Sequence, residues 1–327
     1  MVRLRGFTKR KFSQKARLLH HVYTWHRIVG ESTYVLHDYS LSKQFLDALQ
    51  QNFQPPVAGP ESAETMDESS ARIDNFLRLE THSLDRDLNI HERKDQETSL
   101  RDIHLEDSRD YPETLYKEIY GIPETWLSLI SQTTRLANVM ETFRNARGSL
   151  PNLKFEAWDA LHRRSVRLEY MICSLNRTRS EDPNHDGDET PKPDRHMLRA
   201  LNAALAVFFY RRIYQVHPQI LRPYVDDVIT GLEKFREVLQ PDGPIGLGSI
   251  WPAFIAGCEA TDSARRDAIV QWLDKAYAYC QFPSISTAKT IMKVLWNEQD
   301  DCLSVCGQLI PTWIDIARKE RIWPMLC

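Results

Sequence analysis

Paired carboxylates are the first residues in this chain that could do chemistry, since an Asp-rich helix can hold magnesium against a diphosphate in helical lyases and transferases. Asp226-Asp227 is the only pair of that kind. It is followed by Val228, Ile229 and Thr230, so the third acid of a DDxxD spacing is missing, and Asp300-Asp301 sits in no second metal motif. The run Asp182-Pro183-Asn184-His185-Asp186-Gly187-Asp188 copies the first half of a calcium loop, with oxygen donors at alternate positions and glycine at the sixth. Its twelfth position is Pro193, where a bidentate glutamate is required, and an acidic linker explains the run better. His20, His21, His26 and His37 lack the i, i+4 spacing of a zinc-binding helix. Cys302 and Cys306 would share a helical face but have no second pair. The stretch from Gly243 to Ser249 is glycine-rich ahead of a helix, yet no lysine follows and no strand leads in, so it reads as a linker. No G-x-S-x-G nucleophile turn is present. The chain is therefore expected to have no catalytic residue, no metal ligand and no cofactor of its own.

One titratable group stands out by its surroundings. Glu259 is the sole charge in Trp251-Pro252-Ala253-Phe254-Ile255-Ala256-Gly257-Cys258-Glu259-Ala260, within a chain whose residues are 27% charged. Ser249 is placed to cap this helix, and Pro252 falls in a first turn whose N–H groups lack intrahelical partners anyway. Ala253, Gly257 and Ala260 form a small-residue face beside a bulky one of Trp251, Phe254, Ile255 and Cys258. The pattern predicts a helix buried on all sides. A carboxylate beside so apolar a surface needs a partner or a route to water, and an ion pair at the helix end is simpler than a sensing role. Trp251, Phe254, Cys258 and Glu259 are the candidate ligand-binding residues, with core packing the competing role for the first three. A pocket here is expected to be apolar with few polar groups.

A chain of 327 residues, 42% hydrophobic, can bury a large core, and its net charge of −3 gives no overall attraction to nucleic acid or acidic membrane. The N-terminus differs. Arg3, Arg5, Lys9, Arg10, Lys11, Lys15 and Arg17 occur there with no acidic residue among them, so residues 1–12 read as a basic arm. Lys9-Arg10-Lys11 is a nuclear import candidate; a phosphate-contacting arm, a mitochondrial presequence and a plain solvated tail remain open beside it. Six scattered cysteines give no disulfide framework, and no apolar run reaches membrane-spanning length, so a soluble protein in a reducing compartment is expected.

Glycine is scarce and apolar residues recur at helical spacing, which predicts an all-α chain, a compact multi-helix bundle or array of antiparallel amphipathic helices. A helix with Leu18, Leu19, Val22, Trp25 and Ile28 on its apolar face ends at Gly30, and a short one follows near 41–49. Pro123-Glu124 opens a helix presenting Trp126, Leu127, Ile130, Leu136, Ala137 and Met140. The next runs over about 154–176, with Trp158, Leu161, Val166, Tyr170 and Cys173 as its buried side. A helical hairpin breaks at His217-Pro218, and further helices lie near 262–281, 285–299 and 308–319. One domain over 13–327 is expected, with mobile segments at about 54–70 and 179–193.

With the chemistry motifs failing on spacing, Trp251 to Ala260 becomes the most informative text. It is similar to the W-P-x-F-I-A-G-x-E-A stretch of the fungal-specific transcription factor domain, the C-terminal regulatory domain of zinc binuclear cluster regulators, in particular the arginine, sterol and acriflavine-sensitivity type. Arg265-Arg266, Ile291-Met292, Val294-Leu295-Trp296 and Trp313 extend the resemblance downstream, and Leu19 to Trp25 with Gly30 to Thr33 extend it upstream. Gln299 departs from it, standing where an arginine often follows the tryptophan matched by Trp296. The six-cysteine zinc cluster that reads DNA in the family has no C-x2-C-x6-C counterpart here, so zinc binding and direct DNA contact are not carried over. The chain is then a fragment of a longer regulator or a paralogue without the reader.

The resemblance implies a regulatory domain of an RNA polymerase II transcription regulator, sensing in some members a small hydrophobic metabolite. It implies a nuclear location, with a cytoplasmic share left open, and partners among the transcription machinery or co-regulators. Alternatives are an interaction module without DNA binding, working as a homodimer or as a heterodimer with zinc-cluster relatives, and a helical lyase or transferase.

Overall fold

The computed structural model describes residues 14–34, 121–146, 155–177, 193–239, 247–303 and 310–326. The basic arm with Lys9, Arg10 and Lys11, the short helix near 41–49, the segment 54–70 and residues 179–192 of the acidic linker lie outside these residues. Pro193 lies inside and opens a helix.

The helices among the described residues are α1 (Gln14–Thr33), α2 (Glu124–Ala146), α3 (Phe155–Arg177), α4 (Pro193–Phe209), α5 (Arg222–Val238), α6 (Ile250–Cys258), α7 (Ser263–Cys280), α8 (Pro283–Leu303) and α9 (Trp313–Glu320). No strand occurs among these residues, and the protein is an all-α helical array. None of the described helices is long and apolar enough to cross a membrane. Local sequence sets most boundaries. Pro223 stands in the first turn of α5, where its missing N–H costs nothing, and a 3-10 turn over Pro218–Leu221 carries the chain into it from His217. The Asp262 carboxylate accepts from the Arg265 N–H and so caps α7.

Three details differ from the sequence expectation. α1 continues past Gly30 to Thr33, where Ser32 donates back to the Val29 carbonyl and Thr33 donates to the carbonyl of Pro324, so its end is set by a distant segment. Ser249 does not cap α6: a 3-10 turn over Leu247–Ser249 runs directly into the helix, Ser249 already has helical backbone angles, and its buried hydroxyl has no hydrogen-bond partner. On α3 the buried stripe is Leu161, Leu168, Met171 and Ile172, while Trp158, Val166 and Tyr170 are exposed. Both stripes have helical spacing, and packing against α2 and α4 selected the aliphatic one.

Three helices run through the inside of the array, among them α4, which is buried from Ala200 to Phe209. α2 is buried from Trp126 to Ala137, polar residues included. Its hydroxyls are satisfied within the helix: Thr133 donates to the Leu129 carbonyl and Thr134 to that of Ile130, both at 2.8 Å. α6 is buried along its whole length and packs on α4, α5, α7 and α8. Gly257 makes the closest of these approaches possible, since a Cβ there would lie 2.4 Å from the Met292 sulfur and 2.9 Å from Ile269 Cγ2.

Candidate functional site

Trp251 joins four elements around the N-terminal half of α6. Its indole N–H donates to the Ser32 hydroxyl of α1 at 2.8 Å, and its ring meets Trp126 of α2 edge-on at 5.4 Å and Phe208 of α4 at 5.8 Å. Trp25 in turn stacks on Trp126 at 6.1 Å. One turn on, Phe254 packs against Trp313 of α9 at 5.6 Å. Trp251, Phe254 and Cys258 are thus core side chains here, and burial pushes the Cys258 thiol well up.

The C-terminal end of α6 leaves backbone carbonyls without intrahelical partners, and side chains from α7 and α8 satisfy them. Trp296 donates to the Gly257 carbonyl at 2.9 Å, Arg266 to that of Ala260 at 3.0 Å. Gln299 donates to the carbonyls of Cys258 and Pro311 at 3.3 and 3.2 Å, a joint between α6 and the segment before α9 that a neutral amide makes without a counterion. Arg266 also stacks over the Trp296 ring at 5.3 Å and grips Asp300 with both arms of its guanidinium at 2.7 Å. Arg265 holds Asp226 in the same bidentate way and reaches Asp262 as well. Asp227 pairs with Arg199. The acid pair that invited a metal is therefore turned to two different arginines on α7 and α4.

Glu259 follows directly after α6, and the fold places it 2.7 Å from Arg211. Both side chains are more than nine-tenths buried. The contact is ionic more than hydrogen-bonded, because the Arg211 Nε–H points off the carboxylate and neither atom gains a hydrogen bond. Burial raises the Glu259 carboxyl above its usual range, and Arg211 only partly opposes it. Arg211 reaches this position through a π-helical turn, Tyr210–Tyr214, that ends α4. The turn sends Tyr210 and Tyr214 to opposite oxygens of Glu169 at 2.9 and 3.0 Å, and Arg211 and Arg212 elsewhere. Gln215 closes it with φ of 53°, and Arg211 bonds across the closure to the Val216 carbonyl at 2.9 Å.

These arginines border a cavity of about 240 Å³ between the last turns of α2, the π turn, the end of α6 and the start of α9. Glu141, Arg144, Arg211, Arg212, Glu259, Asp315 and Arg318 supply its charges, with Gln215, Thr312, Trp313 and Ile314 completing the wall. Glu141 bridges Arg212, at 3.1 Å, and Arg318. Burial would raise its carboxyl, but the two guanidiniums outweigh that and hold it below the usual range. Asp315 accepts from the Thr312 N–H at 2.8 Å at the start of α9. Of the four residues singled out on the sequence, Glu259 is the one that lines this charged cavity. The arginines were missed. Their signal was present in Phe208-Phe209-Tyr210-Arg211-Arg212-Ile213, two cations in a run otherwise bound for the core.

Residues 1–327 match the family model of the fungal specific transcription factor domain. Arginine metabolism regulation protein II of Saccharomyces cerevisiae (strain ATCC 204508 / S288c) is 21% identical over 183 residues, which cover 56% of this chain and 20% of that protein. The chain thus matches about a fifth of the length of that relative. No solved structure matches.

Proposed function

The chain belongs to the family of fungal specific transcription factor domains, and from that premise we propose that it is the regulatory domain of a nuclear transcription regulator, acting on transcription machinery or co-regulators and not as an enzyme. The family match across the whole chain carries this reading. The places of the family-like residues support it: Arg266 and Trp296 converge on the carbonyl end of α6, while Trp313 packs on its flank. A helix touched by nearly every other described helix is suited to couple a change in packing at one surface to another, because a shift of α6 must be felt by all its neighbours. Regulation would then be a choice between two packings, biased by whatever binds one of them better.

Fusing residues 1–327 to an unrelated DNA-binding domain in a fungal reporter strain tests the reading. Reporter output should rise or fall by about fivefold or more relative to the DNA-binding domain alone, a shift of roughly 1 kcal/mol in the underlying equilibrium. Output equal to that of the DNA-binding domain alone, with the fusion expressed and nuclear, would overturn it.

A further inference from the structure

The cavity beside Glu259 has a composition that packing alone does not require. Four guanidiniums and three carboxylates line it, so it carries one surplus positive charge. The acids are engaged: Glu141 by Arg212 and Arg318, Glu259 by Arg211, and Asp315 by the start of its own helix. Arg144 donates to the carbonyl of Ile213 in the π turn. Arg211 Nη2 and Arg212 Nε are among the buried donors without a hydrogen-bond acceptor. Their side chains are 8% and 10% exposed. A buried guanidinium with an orphan N–H is costly, and an ordered water or a bound anion that supplies an acceptor would relieve that cost. The π turn is what brings them here, since its wider winding sets two consecutive arginines against one space.

We propose that this cavity binds a small organic anion, whose carboxylate or phosphate oxygens are taken by Arg211 and Arg212. The guanidinium fork matches the spacing of such oxygens, and a cavity of about 240 Å³ has room for a compact metabolite. The anion would draw the π turn, α2 and the start of α9 together around the end of α6. The proposal deepens the regulatory reading, on which it rests for the consequence of binding but not for binding itself.

The test is titration of the purified 327-residue chain with succinate and, separately, inorganic phosphate, at constant ionic strength with chloride as the control, read by calorimetry and by thermal shift. Saturable binding of at least one probe is expected, with a melting temperature that rises with its concentration. A response to succinate alone assigns a carboxylate ligand, to phosphate alone a phosphate ester, and to both an oxyanion site that accepts either. Gln215 is exposed at the cavity wall, so Gln215→Glu adds repulsion without disturbing the core, and should weaken binding by about tenfold. Gln219→Glu makes the same change of charge on an exposed residue outside the cavity wall and should alter affinity by less than about twofold. Absence of saturable binding by both probes, or equal weakening by the two variants, would overturn the proposal. A silent reporter combined with saturable, Gln215-dependent binding would reject the regulatory reading and leave the site standing.

Discussion

Glu259 and Arg211 are the residues whose roles are most exposed to experiment. Burial raises the Glu259 carboxyl, so the folded state binds a proton more readily than the unfolded one and this group lowers stability as pH rises above the ordinary carboxylate range. Removing the guanidinium should magnify that trend. Arg211→Gln is expected to destabilise by about 3 kcal/mol at about pH 7, because it leaves a buried carboxylate uncompensated. At about pH 5 the deficit should narrow as the orphaned carboxyl takes up its proton. Urea denaturation of the variant and the unmodified chain at both pH values checks this; a deficit independent of pH would mean that lost packing, not the ion pair, is responsible. The double variant Arg211→Gln/Glu259→Gln should recover much of the loss. The sequence showed that Glu259 needed a partner, since an isolated charge on an apolar surface is costly in any fold. It did not show which of many arginines would answer, because the two residues are brought together by the packing of α6 against α4.

At the scale of elements, the contact between α6 and α8 is set by a missing side chain. A Cβ on Gly257 would enter the space of Met292 and Ile269, both fully or nearly fully buried. Gly257→Ala gains about 1 kcal/mol of helix propensity and must displace core atoms at about 1–3 kcal/mol, so a net loss of roughly 1 kcal/mol is expected in the urea midpoint. An unchanged or raised midpoint would show that the Met292 side chain swings away freely. Helix existence and most boundaries were legible in the sequence, from Pro123-Glu124 opening α2 to His217-Pro218 breaking the hairpin. The orientation of α3 was not. Its aromatic stripe of Trp158 and Tyr170 competed with Leu161, Leu168 and Ile172 for the core, and hydrophobicity on one helix cannot rank two faces when the shape of the groove they must fill belongs to other helices. The entry into α6 was misjudged for a related reason: Ser249 has the chemistry of a cap, but a preceding 3-10 turn had already placed its backbone in the helix.

For the whole molecule, distant parts of the chain close on each other. Thr33 bonds to Pro324 and Trp251 to Ser32, while Trp25, Ile28 and Val29 of α1 are buried in the same core as Trp126 and Trp251. Deleting residues 1–34 should therefore cost roughly 5 kcal/mol, counting about 1.5–3 kcal/mol for each of the three buried side chains and discounting for a compact unfolded state. Residues 35–327 alone should unfold at lower urea and bind a hydrophobic dye; a midpoint equal to that of the full chain would make α1 an appendage. The sequence by itself determined the all-α class, the burial of the stretch from Trp251 to Ala260 and the family resemblance, because helical periodicity and the aversion of apolar side chains to water act over a few neighbouring residues. Tertiary structure alone decided the charged cavity. Glu141, Arg144, Arg211, Arg212, Glu259 and Arg318 meet there only because four separately coded elements pack together, and an ion pair between residues so far apart in the chain leaves no periodic mark on either segment.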